Sequence, residues 1–228
     1  MATRSNSVMA AVLLTVVAGP AHAGQDYTAG LRTMVVRTYN GFGVPGRDLS
    51  SAESTAGEIF GNIGIRAVWM DCGTGGHPHT VTASTCDDPV TPSEVLLRVG
   101  AAGRLDAPSL MGSALVSSRA GAASMLATVF VDRVLDVARA AGVDPRVLLG
   151  RVVAHEIGHL LLSNEAHAAT GLMRANWLQA ELRRTRPDDW QFLSSEARVI
   201  RDEVTRRTGG GERSRVECLA DLGDHTCL

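Results

Sequence analysis

The chain has 228 residues, of which 45% are hydrophobic and 20% are charged, with a formal net charge of −2 at pH 7. This length corresponds to one ordinary globular domain or two very small ones. Because 22 basic residues face 24 acidic ones and the longest basic cluster is confined to residues 183–186, the positively charged surface of a nucleic-acid-binding protein is not expected.

The N-terminus has the pattern of an export signal. Arg4 precedes an apolar run of residues from Val8 to Gly19, which is too short to span a bilayer as a helix. Ala21 and Ala23 then place small residues before a cleavage site. We therefore expect residues 1–23 to be a signal peptide and the mature chain to be a soluble, secreted or periplasmic protein; an N-terminal membrane anchor is the alternative.

Runs of β-branched and apolar residues predict strands, and capping residues with apolar periodicity predict helices. In chain order the predicted elements are strand 33–39, helix 50–63 (capped by Ser50 or Ser51), strand 64–70, strand 94–99, strand 114–117, strand 125–131, helix 132–141, helix 146–162 and helix 187–208. This order predicts an α+β domain over residues 24–208, with a mixed, twisted sheet of four or five strands packed on helices. Residues 209–228 are expected to form a C-terminal tail closed by a disulfide.

Four cysteines follow the predicted signal peptide, and an even number is typical of disulfides in an oxidising compartment. Three pairings are possible. Cys72 and Cys86 bracket one short polar segment, and Cys218 and Cys227 bracket another. The spacing therefore favours the two local disulfides Cys72–Cys86 and Cys218–Cys227. It does not fit the ligand spacing of a zinc finger.

The predicted helix over residues 146–162 is apolar on most faces and is expected to be buried. Its middle contains an H-E-x-x-H sequence, from His155 through Glu156 to His159. At 3.6 residues per turn the two imidazoles lie on one face and can bind one metal ion, while the carboxylate can reach a water on that metal. The alternative, two core histidines beside a buried glutamate, is disfavoured because an uncompensated buried carboxylate is costly.

The sequence around this motif resembles the zincin metallopeptidases, in particular a metzincin-like secreted bacterial group. The likeness is carried by residues 152–162, His167 and residues 171–177, and it covers roughly residues 113–177. It implies one Zn²⁺ per chain bound by His155, His159 and His167, and a turn beneath the metal that contains Met173.

The metzincin pattern H-E-x-x-H-x-x-G-x-x-H would place glycine at Leu162 and histidine at Glu165. Leucine is a poor residue for a left-handed helix end, so the helix is expected to continue past Leu162. Asn164 tolerates that conformation and lies three residues before His167, which preserves the offset from turn to ligand. His167 is therefore the expected third ligand, with Glu165 as the alternative.

The resemblance implies a secreted zinc endopeptidase, monomeric and acting on peptides or proteins. Zinc would activate a water, with Glu156 as general base. An extended substrate would pair with an edge strand near residues 113–117. Trp177 and Trp190 are expected in the core, with a position in the wall of a substrate cleft as the alternative. Two alternatives remain: a zincin fold used only for binding, and a gluzincin-type peptidase whose third ligand is a downstream glutamate such as Glu196.

Overall fold

The computed structural model describes residues 32–73, 84–103, 110–117, 123–184 and 186–220, and the side chains only as far as residue 209 in the last helix. The expected signal peptide, residues 1–23, lies outside the described residues. So does the expected disulfide between Cys218 and Cys227.

The described part of the chain forms an α+β domain with one mixed five-stranded sheet, which confirms the predicted fold class. The elements are β1 (Arg32–Asn40), α1 (Gly46–Gly61), β2 (Ile65–Asp71), α2 (Ser84–Asp87), β3 (Glu94–Gly100), β4 (Gly112–Leu115), β5 (Leu126–Phe130), α3 (Val131–Ala141), α4 (Pro145–Leu162), α5 (Gln179–Leu182) and α6 (Ser194–Ala220), with a 3-10 turn at Pro187–Trp190.

The strand order in the sheet is β2-β1-β3-β5-β4. The first four strands of this order are parallel, and β4 pairs with β5 in the antiparallel direction. The inner strands are apolar because helices cover the sheet; Val36, Leu97 and Val129 are fully buried. β4 ends the sheet, so one side of its backbone is not paired with another described strand.

Helix α4 lies at the centre of the domain. Asp144 caps it by accepting a hydrogen bond from the Arg146 backbone N–H, and Pro145 occupies its first turn, as the sequence predicts. Gly150 is packed so closely on Ala52 and Thr55 of α1 that an added Cβ would collide with both. At the other end of α4, the buried Arg207 of α6 donates to the Leu160 carbonyl. The helix is therefore fixed at both ends.

Three predicted elements have bounds that differ from the structure by two residues or more. Helix α1 begins at Gly46 and not near Ser50, because Pro45 supplies the carbonyl that accepts from the first helical N–H groups. Strand β4 covers residues 112–115 and not 114–117. Helix α6 begins at Ser194 and continues through residues 209–211, since glycine lowers helix propensity but keeps its backbone donor.

The expected local disulfide between Cys72 and Cys86 is present. The buried Arg37 holds the segment around it, because its guanidinium pairs with Glu94 and donates to the carbonyls of Cys86 and Asp88. Among the helices that the structure describes, none combines the length and the apolar character needed to cross a membrane.

Candidate metal centre

The buried face of α4 presents His155 and His159 to the same space, one helical turn apart. The Nδ1–H of His155 donates to the Leu172 carbonyl at 2.9 Å, and the Nδ1–H of His159 donates to the Asn164 carbonyl at 2.9 Å. A carbonyl can only accept, so these bonds define which nitrogen of each ring carries the proton. Both Nε2 atoms are therefore left as acceptors.

The chain turns sharply after α4 to bring His167 to these two rings. Ser163 takes the left-handed conformation, with φ of 52° and ψ of 34°, so the expectation that Asn164 would do so is wrong by one residue. Asn164 instead stabilises the turn through its side chain, which donates to the Leu162 carbonyl and accepts from the Ala166 N–H. The turn therefore combines the left-handed backbone of Ser163 with side-chain hydrogen bonds from Asn164 to the neighbouring backbone.

His155, His159 and His167 form a compact cluster in which the candidate ligand atoms all lie within 4.8 Å of one another. The Nε2 atoms of His155 and His159 are 3.1 Å apart. Neither carries a proton in the neutral ring, so this contact brings two lone pairs together and is not a hydrogen bond. Two nitrogens bound to one tetrahedral zinc ion would lie about 3.3 Å apart, so the donor set and its spacing fit a metal ion.

Burial favours the neutral, metal-binding form of the two helical histidines. Desolvation lowers the pKa of His155 to about 4, against the opposing effect of the hydrogen bond to Leu172. Desolvation also lowers the pKa of His159. Both imidazoles are therefore neutral at neutral pH, with a proton on Nδ1 and none on Nε2. A cation that binds the two Nε2 atoms would not have to displace a proton from them at this pH.

Glu156 is buried beside the cluster, and burial raises its carboxyl pKa to about 8. Within the described part of the chain its carboxyl makes no hydrogen bond or ion pair. Together with the three histidines it lines a cavity of about 630 Å³. The carboxyl group and the candidate metal ligands therefore face one space.

The cavity lies between α4, the edge strand β4 and the segment at residues 174–178. Gly112, Ser113 and Ala114 of β4 form one wall. Apolar side chains make up much of the remainder and are contributed by Leu110, Met111, Val137, Val152, Trp177 and Leu178. Strand β4 and the three histidines therefore border the same cavity.

Met173 lies in a turn that follows α4 and packs against that helix, while its place beneath a metal ion stays a prediction. It is fully buried, and its sulfur packs against Gly158 of α4. The turn that carries Met173 is closed by a hydrogen bond from the Ala168 N–H to the Met173 carbonyl. Gly171 in this turn has a positive φ of 76°, a conformation that favours glycine. This turn also carries Leu172, which orients His155.

The two glutamates considered as alternative third ligands, Glu165 and Glu196, lie outside the three-histidine cluster. Glu165 lines the cavity but is not a member of the three-histidine cluster. Glu196 accepts a hydrogen bond from the Leu193 N–H at the start of α6 and is likewise not in the cluster. The alternative that made Glu196 the third ligand therefore has no support in this geometry.

Both tryptophans pack on the core: Trp190 is buried and Trp177 is partly buried. Trp177 also lines the cavity and packs edge-on against His155, with ring centroids 5.5 Å apart. Sequence reasoning also missed the carbonyls of Leu172 and Asn164, since any residue can supply a carbonyl. It missed Gly112 as well, because glycine is rare in strands.

No protein-family model matches the chain, and a search of curated proteins finds no match either. The function is therefore inferred from the geometry of this site and the chemistry of its side chains.

Proposed function

We propose that the protein is a zinc-dependent metallopeptidase of the metzincin-like type, with His155, His159 and His167 as metal ligands and Glu156 as the general base. The observation that supports this most directly is the three-histidine cluster in the same cavity as the Glu156 carboxyl. A merely structural zinc site would be closed by a fourth protein ligand, whereas a catalytic site keeps an open position. Among the described residues the cluster has three members.

Neutral imidazole suits several transition metals, and zinc is preferred here because three histidines without thiolates are a common hydrolytic zinc site. When bound, zinc supplies Lewis-acid chemistry: it lowers the pKa of a water towards 7 and polarises a carbonyl. The carbonyls of Leu172 and Asn164 orient His155 and His159 through their Nδ1–H groups. Such outer contacts fix the ring orientation that metal binding requires.

Glu156 is suited to proton transfer because it is next to His155 in sequence yet directed into the cavity without a hydrogen-bonding partner among the described residues. A carboxylate held in this way can accept a proton from the attacking water and pass it to the nitrogen of the scissile amide, whose bond to carbon then breaks. In its ionised form Glu156 would be stabilised by a cation bound to the histidines, which offsets the cost of burying it.

Strand β4 offers a binding surface for the substrate. It is the edge of the sheet and forms a wall of the cavity, so an extended peptide can add to it by main-chain hydrogen bonds. Leu110 and Leu178 line the same cavity and are 42% and 64% exposed. These side chains favour peptides with apolar residues near the scissile bond.

The proposal includes action outside the cytoplasm after removal of residues 1–23. The disulfide between Cys72 and Cys86 supports an oxidising compartment. N-terminal sequencing of exported protein is expected to begin at Gly24, and an intact Met1 on exported protein would contradict the processing step.

The central test compares Glu156→Ala with His155→Ala. Glu156→Ala should retain one zinc per chain and lose peptide hydrolysis by several orders of magnitude, whereas His155→Ala should lose zinc as well. Zinc content is measured on dialysed protein, and hydrolysis with a library of unstructured peptides. Zinc binding without hydrolysis by the parent chain would favour the binding-module alternative.

A further inference from the structure

Gly112 at the start of β4 lies directly against the side chain of Glu156. A Cβ built on Gly112 would have three nearest atoms, all of them in Glu156: Oε1 at 2.5 Å, Cγ at 2.6 Å and Cδ at 2.7 Å. These separations are well below ordinary van der Waals contact between heavy atoms. The backbone of Gly112 does not have a positive φ, so the need for glycine here comes from the close approach alone.

Strand β4 cannot easily move away from this contact. Gly112 pairs with Val129 in the antiparallel ladder, and the Phe130 N–H donates to the Met111 carbonyl at 2.8 Å. Side chains alternate along a strand, so residues 112 and 114 face the same way. Position 114 is also small, and Ala114 packs against the core. Small residues on this face thus allow the edge strand to lie close to α4.

The Glu156 carboxyl has no polar partner among the described residues, and its packing against Gly112 limits where it can lie. A free glutamate side chain has several staggered rotamers of similar energy. The surface of Gly112 is one boundary of the space that Glu156 occupies. Any side chain at position 112 would take that space away.

We propose that Gly112 is a positioning residue: its missing side chain gives the Glu156 carboxyl its place in the cavity shared with the three histidines. The effect on reaction rate rests on the proposed function of Glu156, whereas the contact itself does not. The same strand would then align the substrate backbone and set the position of the proton-accepting group.

The first test is structural and needs no activity. A crystal structure of the Gly112→Ala variant is expected to show Glu156 in a different rotamer, with its carboxyl displaced by more than about 1 Å, while β4 keeps its register with β5. A Glu156 side chain that stays in place would overturn the proposal.

The second test is kinetic and uses Gly100→Ala as the matched control. Gly100 ends β3 in the same sheet, and a Cβ there would meet only Arg98 Nε, at 3.9 Å. Gly112→Ala is expected to keep one zinc per chain and the parent KM within about threefold, and to lower kcat by about a hundredfold, the range of a lost general base. Gly100→Ala should retain the parent values. An unchanged kcat in Gly112→Ala would contradict the inference.

A folding defect in Gly112→Ala would be interpreted with the double variant Gly112→Ala/Glu156→Ala. If only the single variant fails to fold, the conflict lies with the Glu156 side chain, as proposed; if both fail, another group excludes the Cβ and the proposal is wrong. A parent protein that binds zinc but cleaves no peptide would remove the proposed function, and the crystallographic comparison would still decide the role of Gly112.

Discussion

Gly158 of α4 and Met173 of the following turn are in direct contact, with no room for a side chain between them. A Cβ on Gly158 would lie 2.8 Å from Met173 Sδ and 2.8 Å from a ring carbon of Phe192. Gly158 lies between the two helical histidines in sequence, and Met173 follows the residue whose carbonyl orients His155. This contact therefore connects the packing of the core with the geometry of the candidate metal centre.

The variant Gly158→Ala is expected to weaken metal binding and the fold together. Overpacking at a site this close should lower the free energy of unfolding by about 1–3 kcal/mol. Displacement of the turn at Met173 should also disturb the Leu172 carbonyl, and zinc affinity should fall about 10- to 100-fold, as for other outer contacts of metal ligands. Denaturant unfolding and competitive zinc titration measure the two effects.

Gly61→Ala is the matched control for this prediction. Gly61 ends α1, and no atom lies within 4 Å of an added Cβ. Because alanine restricts the unfolded chain more than glycine does, the control should be stabilised by up to about 1 kcal/mol, with unchanged zinc affinity. Equal losses of zinc affinity in both variants would show that the contact with Met173 is not the cause.

The order and type of the main elements could be predicted because local signals and tertiary packing agree. At α4 the Asp144 cap, Pro145 and the apolar run all indicate one buried helix, and the structure has it at those residues. The start of α1 could not be predicted in the same way, since Pro45 supplies only a backbone carbonyl. Likewise, β4 begins at a glycine whose presence depends on a side chain 44 positions away.

Some residues of the candidate site could likewise be predicted from the sequence, and others could not. The grouping of His155 and His159 follows from helical periodicity, and the grouping of His167 with them was reached by counting residues from a turn. The count succeeded although the left-handed residue is Ser163 and not Asn164. Trp177 packs against the core, as tryptophan usually does, whereas its place in the cavity wall depends on the path of the chain after Met173.

The Cys72–Cys86 disulfide is expected to contribute to stability in the oxidised protein. It links residues 14 positions apart, and closing a loop of that length contributes about 3 kcal/mol in the chain-entropy model. The variant Cys72→Ser/Cys86→Ser should therefore unfold at a lower denaturant concentration. It should retain its zinc affinity, since neither cysteine is among the described residues that line the cavity with the histidine cluster. Unchanged unfolding on reduction would contradict this assignment of stability.

Apolar residues at the cavity mouth are expected to affect substrate binding more than chemistry. Leu178→Asp places a charge where a 64% exposed leucine lines the cavity. KM for peptides with apolar residues beside the scissile bond should rise about 5- to 150-fold, since one lost apolar contact changes binding by about 1–3 kcal/mol, while kcat stays near the parent value. Val199→Asp, on α6 outside the described cavity lining, is the control and should change neither constant.

The choice between His167 and Glu165 as third ligand can be decided by metal binding alone. Both side chains are exposed, so removing either should leave the fold intact. Only His167 belongs to the cluster whose ligand atoms lie within 4.8 Å, while Glu165 is two residues earlier in the cavity wall. His167→Ala should therefore lower zinc affinity by more than about a hundredfold, beyond the loss typical of an outer contact, and Glu165→Ala should stay within about threefold of the parent. Competitive zinc titration at neutral pH measures both, and the reverse order of affinities would assign the ligand to Glu165.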